Sequence, residues 1–281
     1  MMRPVKRREV LTAISALATL VLGGVPAAQT VSDDFAKAGP NAPWVPTPDD
    51  MIDVMLRLAR VGKNDLVCDL GSGDGRIPIV AAQKYGARGL GVEIDPQLVA
   101  GAWRNAQRAG VAQRVRFIEG DVFVADFSEA TVVTLYLITH MNDRLRPRLL
   151  KLRPGTRIVS HNYGMTDWDA DEVAFHNETR ALLWVVPAQV DGRWSLQTGG
   201  RPGERVIVNL VQQYQRVKGE IFFGSAGRPI RHAELLGTRL ALSVSDPQGQ
   251  LVVFHGNAEG RTISGHMTSG AAVYAFRGVR V

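Results

Sequence analysis

The sequence has one cysteine, six histidines and little net charge, and each shortage excludes a class of function. Cys68 alone cannot form an intramolecular disulfide or a multi-cysteine metal site. The histidines lack the spacing of metal ligands, and no serine–histidine–aspartate or paired-carboxylate arrangement stands out. Outside the first nine residues, 29 basic side chains face 26 acidic ones, which is too small an excess to indicate nucleic-acid binding. We therefore expect neither a metal nor a nucleic-acid partner.

The first 28 residues have the layout of a secretory signal peptide. Basic residues precede an uncharged stretch from Val10 to Ala28, which ends in small residues. The Arg7-Arg8 pair also resembles a twin-arginine signal, the kind that exports folded proteins. An uncleaved membrane anchor is the alternative, because the uncharged stretch is long enough to span a bilayer. We expect a protein exported to the periplasm, with no stable membrane insertion after cleavage.

Residues 47–189 alternate short apolar runs with amphipathic helical stretches. After a linker at 29–46, Thr47 is predicted to cap a helix that has Pro48 at its first position. The predicted strands are 66–70, 89–93, 115–118, 131–138 and 157–160, and the later predicted helices are 76–85, 96–109 and 142–152. Such alternation predicts a parallel sheet with helices on both faces, which is an α/β domain.

Residues 190–281 follow a different pattern, in which short β-type runs are separated by glycines and turn sequences. The runs recur about every 8–12 residues, a spacing typical of an antiparallel β barrel or sandwich. We therefore predict a second, β-rich domain. It contains no chemical motif, so its role is left open.

A glycine-rich loop between the predicted strand 66–70 and the predicted helix 76–85 carries the chemistry. Gly71, Gly73 and Gly75 let the backbone approach a ligand closely. A diphosphate at this position requires backbone N–H groups without nearby anions, yet Asp69 closes the strand and Asp74 lies inside the loop. S-adenosylmethionine carries an ammonium and a sulfonium but no phosphate. The acidic loop therefore favours S-adenosylmethionine over NAD.

Two more acidic residues follow the next strands. Glu93 ends the second strand, where a carboxylate can accept hydrogen bonds from both ribose hydroxyls. Asp121 comes after the third strand, in position to accept from an adenine amino group. Strand ends at one edge of a parallel sheet form a ligand-binding crevice. The order of these acids predicts one nucleoside site.

Three segments, Pro43–Thr47, Asp69–Ile77 and Gly91–Glu93, resemble class I S-adenosylmethionine-dependent methyltransferases. They are most similar to the lysine methyltransferases of ATP synthase c-subunit and adenine nucleotide translocase. The resemblance covers about residues 43–187 and implies a Rossmann-like fold, S-adenosylmethionine as cofactor and a protein lysine as methyl acceptor. The cofactor-binding residues that the motif and the resemblance indicate are Thr47, Asp69, Gly71, Ser72, Gly73, Asp74, Gly75, Glu93 and Asp121. Where the family has a proline-containing motif, this chain has Tyr136–Thr139, which leaves the acceptor open.

Methyl transfer from a sulfonium needs no acid, so the enzyme mainly aligns donor and acceptor and excludes water. Tyr136, after the fourth strand, is our candidate for a wall beside the methyl donor. His161, with Asn162 and Tyr163 after the fifth strand, could line the acceptor side. Each of these residues could equally serve only in packing.

Three functional hypotheses follow. The first is N-methylation of a protein lysine, and the second is methylation of a small molecule or lipid. The third is an exported, non-catalytic binding protein that retains the cofactor fold. This last hypothesis arises because S-adenosylmethionine is made inside the cell whereas the signal predicts export. The oligomeric state is left open.

Overall fold

The computed structural model describes residues 5–6, 45–199 and 205–281. The predicted signal peptide and linker therefore lie outside the described residues, apart from positions 5–6 and 45–46. Within the described residues, no helix combines the length and apolarity needed to cross a membrane. Contacts divide the chain into two units, one comprising residues up to 152 and 156–184, the other comprising 153–155 and 185–281.

The first unit alternates strands and helices as the sequence predicts. Its strands are β1 (Val5–Lys6), β2 (Leu66–Leu70), β3 (Arg88–Glu93), β4 (Val115–Glu119), β5 (Val132–Leu135), β6 (Arg157–His161), β7 (Glu172–His176) and β8 (Thr179–Val185). Its helices are α1 (Asp49–Leu58), α2 (Arg76–Tyr85), α3 (Pro96–Arg108) and α4 (Thr139–Leu149). Their sheet order is β1-β7-β8-β6-β5-β2-β3-β4.

The centre of this sheet is parallel, from β6 through β5, β2 and β3 to β4. Every residue of β2 is buried, so helices and loops cover both faces of the central strand, as expected for a parallel sheet. The sheet is nevertheless mixed rather than parallel throughout, because β7 and β8 form an antiparallel hairpin that the sequence analysis missed. The carboxyl ends of β2, β3, β4 and β5 consequently meet at one edge.

The first residues of α3 and α1 show how far the local sequence determines where a helix begins. Asp95 caps α3 as predicted: its Oδ1 accepts from the Gln97 N–H at 2.7 Å, and Pro96 stands at the first helical position. The predicted Thr47 cap is wrong. The helix begins at Asp49, and its first backbone bond runs from the Ile52 N–H to the Pro48 carbonyl. Thr47 thus precedes the helix and is buried.

The second unit is a single antiparallel sheet of nine strands. They are β9 (Gly192–Thr198), β10 (Arg205–Gln213), β11 (Arg216–Phe223), β12 (Ala226–Pro229), β13 (His232–Leu236), β14 (Arg239–Ser245), β15 (Leu251–Glu259), β16 (Thr262–Ser269) and β17 (Ala272–Arg280). Their order is β12-β11-β10-β9-β17-β16-β15-β14-β13. Strand β11 lies next to one edge of this sheet, and it also contacts β13, the strand at the other edge. The sheet therefore curls into a half-barrel.

The inner face of the half-barrel holds its core. Buried residues alternate with exposed ones along β10 and β14, the period-two pattern of a strand with one face in water. The largest inward side chains are Trp194, Phe254 and Phe276, and the two phenylalanine rings meet edge to face at 5.4 Å. The predicted β-rich region therefore exists. It is one curled sheet rather than a sandwich of two.

Candidate active site

The glycine loop connects β2 to α2 at the sheet edge. Gly71, Gly73 and Gly75 all have positive φ, at 81°, 52° and 79°, a region that other residues rarely adopt. The N–H groups of Gly71 and Ser72 both donate to the Val92 carbonyl, at 2.8 and 3.0 Å. These two bonds fix the loop against the end of β3, so its backbone conformation is set before any ligand binds.

The loop glycines differ in their surroundings. A Cβ on Gly71 would meet only the tip of Leu137, at 3.2 Å. A Cβ on Gly75 would lie 2.6 Å from the Phe117 ring and 2.8 Å from Ala102, both of which belong to the hydrophobic core. Gly75 therefore lets α2 pack closely on β4 and α3, whereas Gly71 leaves open the space above the loop.

Glu93, at the end of β3, is held by backbone donors. Its Oε2 accepts from the Gly73 N–H at 2.8 Å, and its Oε1 accepts from the N–H groups of Ile94 and Asp95 at 2.8 and 3.1 Å. The side chain is 7% exposed. This carboxylate is thus fixed in one orientation, and the glycine loop and the β3 end form one hydrogen-bonded unit.

Asp69 is the most deeply buried acid of the site, at 4% exposure. Burial raises its pKa from 3.8 to about 7, and the charges of Glu93 and Asp74 act in the same direction. The Thr134 hydroxyl, which donates to Asp69 Oδ1 at 2.6 Å, acts in the opposite direction and lowers the pKa. A cationic ligand beside Asp69 would supply the counter-charge that this carboxyl lacks.

A cavity of about 520 Å³ opens at the carboxyl ends of these strands. This volume lies within the range of about 300–1,000 Å³ that is usual for small-molecule sites. Eight of the predicted site residues line it: Thr47, Asp69, Gly71, Ser72, Asp74, Glu93, Asp121 and Tyr136. Gly73, Gly75 and His161 are not among its lining residues. The strand ends therefore bring most of the predicted site together.

Arg76 is a site residue that the sequence analysis missed. Its guanidinium donates to the Asp74 carboxylate through Nη2 at 2.8 Å and Nε at 3.0 Å, and its Nη1 donates to the Thr47 carbonyl at 3.1 Å. Arg76 therefore ties the segment before α1 to the glycine loop. The order Asp74-Gly75-Arg76 could have indicated this contact, because an acid and an arginine two positions apart can form an ion pair where a helix begins.

An aromatic group closes another side of the cavity. Tyr136 follows β5 and Tyr163 follows β6, and their rings stack with centroids 6.2 Å apart; both line the cavity. Behind Tyr136 lies His161, with ring centroids 4.1 Å apart and only 2% of the residue exposed. Asn162 points elsewhere, and its Oδ1 accepts from the Arg180 N–H. Of the three predicted acceptor-side residues, only Tyr163 lines the cavity.

His161 has an unusual environment for a histidine. Neither ring nitrogen has a hydrogen-bond partner within the part of the chain that the structure describes. Burial lowers its pKa from 6.5 to about 4, so the ring is neutral at physiological pH. The imidazole thus packs against the Tyr136 ring at a tilt of 33°, and it is not among the residues that line the cavity.

Comparison with known proteins agrees with this geometry. The family model of the ANTKMT methyltransferase domain matches residues 69–172. A protein-lysine N-methyltransferase of Saccharolobus islandicus is 44% identical over 136 residues, covering 48% of this chain and 84% of that protein. The chain belongs to this family of S-adenosylmethionine-dependent methyltransferases.

Two further relatives show the breadth of the family. The lysine N-methyltransferase of the ATP synthase c-subunit from Mus musculus is 31% identical over 166 residues, 59% of this chain and 64% of that protein. The chain thus spans less than two thirds of the mouse relative. The crystal structure of an RNA methyltransferase from Salinibacter ruber, in complex with S-adenosyl-L-homocysteine, is 51% identical with a TM-score of 0.51. It matches 52% of this chain and 96% of its own.

The cavity of this methyltransferase fits S-adenosylmethionine. Asp69 and Asp74 put two carboxyl groups, the second of them paired with Arg76, into the lining that a cationic amino-acid group can contact, and the fixed Glu93 carboxylate suits a ribose diol. Asp121 lines the cavity after β4, with its Oδ1 accepting from the Phe123 N–H at 2.8 Å. Beyond the predicted set, His140 and Arg144 of α4 also line the cavity, and the Arg144 guanidinium lies 3.7 Å from the Phe123 ring centre.

Proposed function

We propose that the chain methylates the side-chain amine of a protein lysine. The observation that supports this proposal best is that the Tyr136 and Tyr163 rings form one side of a cavity whose lining also contains four acidic residues. The lysine N-methyltransferases named above support the same acceptor, because their sequences match this methyltransferase unit. Tyrosine faces attract a cation such as a lysine ammonium, and they exclude water as it enters.

When bound, S-adenosylmethionine supplies a methyl group on a sulfonium, which leaves without acid assistance. The chain's residues then have to orient the two reactants and to help the lysine lose its proton. Burial and the neighbouring Tyr163 raise the pKa of Tyr136, so its hydroxyl stays protonated and cannot act as a base. His161 is neutral but lies behind Tyr136. We therefore infer that desolvation beside the stacked aromatic rings lowers the pKa of the lysine, and that the proton leaves to solvent.

An RNA acceptor is the second candidate function. One observation favours it: the Salinibacter ruber relative, at 51% identity, is an RNA methyltransferase. The two candidates are separable with cell extract, the purified protein and S-adenosylmethionine labelled in its methyl group. Label that protease removes and ribonuclease leaves supports the lysine proposal. Label that only ribonuclease removes contradicts it and establishes the RNA acceptor.

The cofactor residues are tested by calorimetric titration of S-adenosylmethionine. We expect micromolar binding that Glu93→Ala and Asp121→Ala each weaken by about tenfold or more, equivalent to about 1.4 kcal/mol. Glu119→Ala is the matched control, since Glu119 is an exposed acid at the end of β4 that does not line the cavity. Absence of binding by a well-folded wild-type protein would refute the methyltransferase proposal. Equal losses in all three variants would refute the assignment of the residues.

Export of the protein is also a proposal, supported by the charge and apolar pattern of residues 1–28. Cell fractionation of a C-terminally tagged protein tests it. We expect the shortened protein in the periplasmic fraction. Full-length protein in the membrane fraction would indicate the anchored alternative, and full-length protein in the cytoplasm would contradict both.

A further inference from the structure

The outer face of the half-barrel carries a row of polar side chains that crosses six neighbouring strands. Strand register places one residue from each strand side by side in the ladder. In spatial order from β14 to β10 they are Arg239, Asn257, Ser264, Arg277, Gln197 and Arg205. All six are exposed, and each is flanked along its strand by a buried residue. We call these six residues the arginine row.

The arginine row contains three guanidinium groups and three amide or hydroxyl groups, but no carboxylate. None of its arginines forms a salt bridge within the described ranges. The adjacent row on β14–β17 is Ala241, His255, His266 and Ala275; among the described residues, acids flank the two rows only at Glu234, beside Ala241 on β13, and at Glu259, two positions beyond Asn257 on β15. The His255 and His266 rings stack there with centroids 5.3 Å apart. These two rows therefore present unpaired cations beside flat, exposed rings.

The second unit as a whole contains more basic than acidic residues. Residues 45–184 contain 17 basic and 18 acidic side chains, whereas residues 185–281 contain 11 basic and 6 acidic ones. The small excess over the whole sequence thus averages a neutral methyltransferase unit with a basic β unit. Averaging is why the sequence analysis predicted no nucleic-acid partner. Strand register then concentrates three of the arginines into one line.

We propose that the arginine row binds single-stranded nucleic acid, with phosphates on the guanidinium groups and bases against the histidine pair. The row spans five strand intervals of about 4.8 Å, or about 24 Å, enough for several nucleotides. It runs around the circumference of a curled sheet, so its surface is convex. A flexible strand can follow such a line across all six strands, whereas a flat bilayer touches only a few of them. Amide and hydroxyl groups add neutral hydrogen bonds to phosphate and sugar.

Fluorescence anisotropy of a labelled twelve-nucleotide single-stranded RNA, titrated with the full chain, tests this proposal. Three phosphate contacts predict a salt slope of about −2, and hence about twentyfold weaker binding at 200 mM than at 50 mM salt. The triple variant R205Q/R239Q/R277Q is expected to bind at least tenfold more weakly at low salt and to lose most of this slope. The matched control K218Q/R228Q/R231Q removes three charges from the same unit outside the row and is expected to bind as wild type does.

A second variant keeps the test informative if the triple variant unfolds. Ser264→Glu places a carboxylate beside Arg277 on an exposed position and is expected to weaken RNA binding severalfold while the circular dichroism spectrum stays unchanged. Equal losses in the control and row variants would overturn the proposal. So would binding to phosphatidylserine vesicles without binding to RNA, since that result would indicate a membrane surface instead.

Discussion

Replacing Asp69 by Asn should stabilise the cofactor-free protein, and increasingly so as pH rises. Burial raises the pKa of Asp69 from 3.8 to about 7, so between these values the folded chain keeps a proton that the unfolded chain has released. The carboxyl's contribution to stability is therefore fully present below about pH 4 and is lost as pH rises through 7. Asn carries no titrating proton, and its Oδ1 can still accept from the Thr134 hydroxyl.

The magnitude follows from these two pKa values. Between pH 5 and pH 8, the Asp69 contribution to the free energy of unfolding falls by about 3 kcal/mol, at about 1.4 kcal/mol for each unit over which the two states differ in bound protons. The stability advantage of Asp69→Asn should grow by this amount over that range. In thermal melts this corresponds to roughly 5–10 °C.

The assay is thermal unfolding of wild type and variant at pH 5 and pH 8, without and with S-adenosylmethionine. Glu119→Gln, which removes an exposed acid that does not line the cavity, serves as the control. Saturating cofactor should reverse the order at pH 8, because its cation pairs with Asp69 and not with an amide. If the stability advantage of Asp69→Asn is the same at pH 5 and pH 8, the reasoning that burial raises the pKa of Asp69 is refuted.

Three shorter predictions test other parts of the site. Gly75→Ala should lower the free energy of unfolding by more than about 2 kcal/mol, because the residue needs positive φ and its Cβ would overlap the Phe117 ring; an unchanged denaturation midpoint would contradict this. The imidazole of His161 should titrate near pH 4 in NMR spectra, and a midpoint near 6.5 would show that the ring is not buried behind Tyr136. Arg76→Met should weaken cofactor binding about three- to tenfold because the Asp74 and Thr47 contacts are lost, whereas the exposed Arg88→Met should not; calorimetry would show both.

Local pattern predicted the elements next to the glycine loop to the residue. Strand 66–70 and helix 76–85 have the bounds that the sequence indicates, because the glycines between them mark both ends clearly. The run 131–138 was predicted as one strand, yet β5 ends at Leu135. Its remaining apolar residues line the cavity instead, and apolarity alone cannot distinguish a core from a ligand site. Helix α4 accordingly starts at Thr139, earlier than predicted.

The features that local pattern could not reveal depend on pairing between distant strands. The bond from the Gly73 N–H to Glu93 spans 20 positions, and the position of His161 behind Tyr136 requires β5 and β6 to be neighbours. The antiparallel hairpin of β7 and β8 was missed for a related reason. The alternation of strands and helices predicted a parallel sheet, and these two strands extend that sheet without a helix between them. Residue type indicated which groups carry the chemistry. Strand order and register determined which of them meet.

The four carboxyl groups that line the cavity also bear on how long the protein survives. A cavity that concentrates negative charge is least stable when empty, and a bound cation stabilises the folded state by mass action. Where proteases remove transiently unfolded chains, a stability difference of about 1–2 kcal/mol changes abundance severalfold. The amount of this methyltransferase would then follow the local supply of methyl donor, and a compartment that lacks the donor would lose the protein by proteolysis.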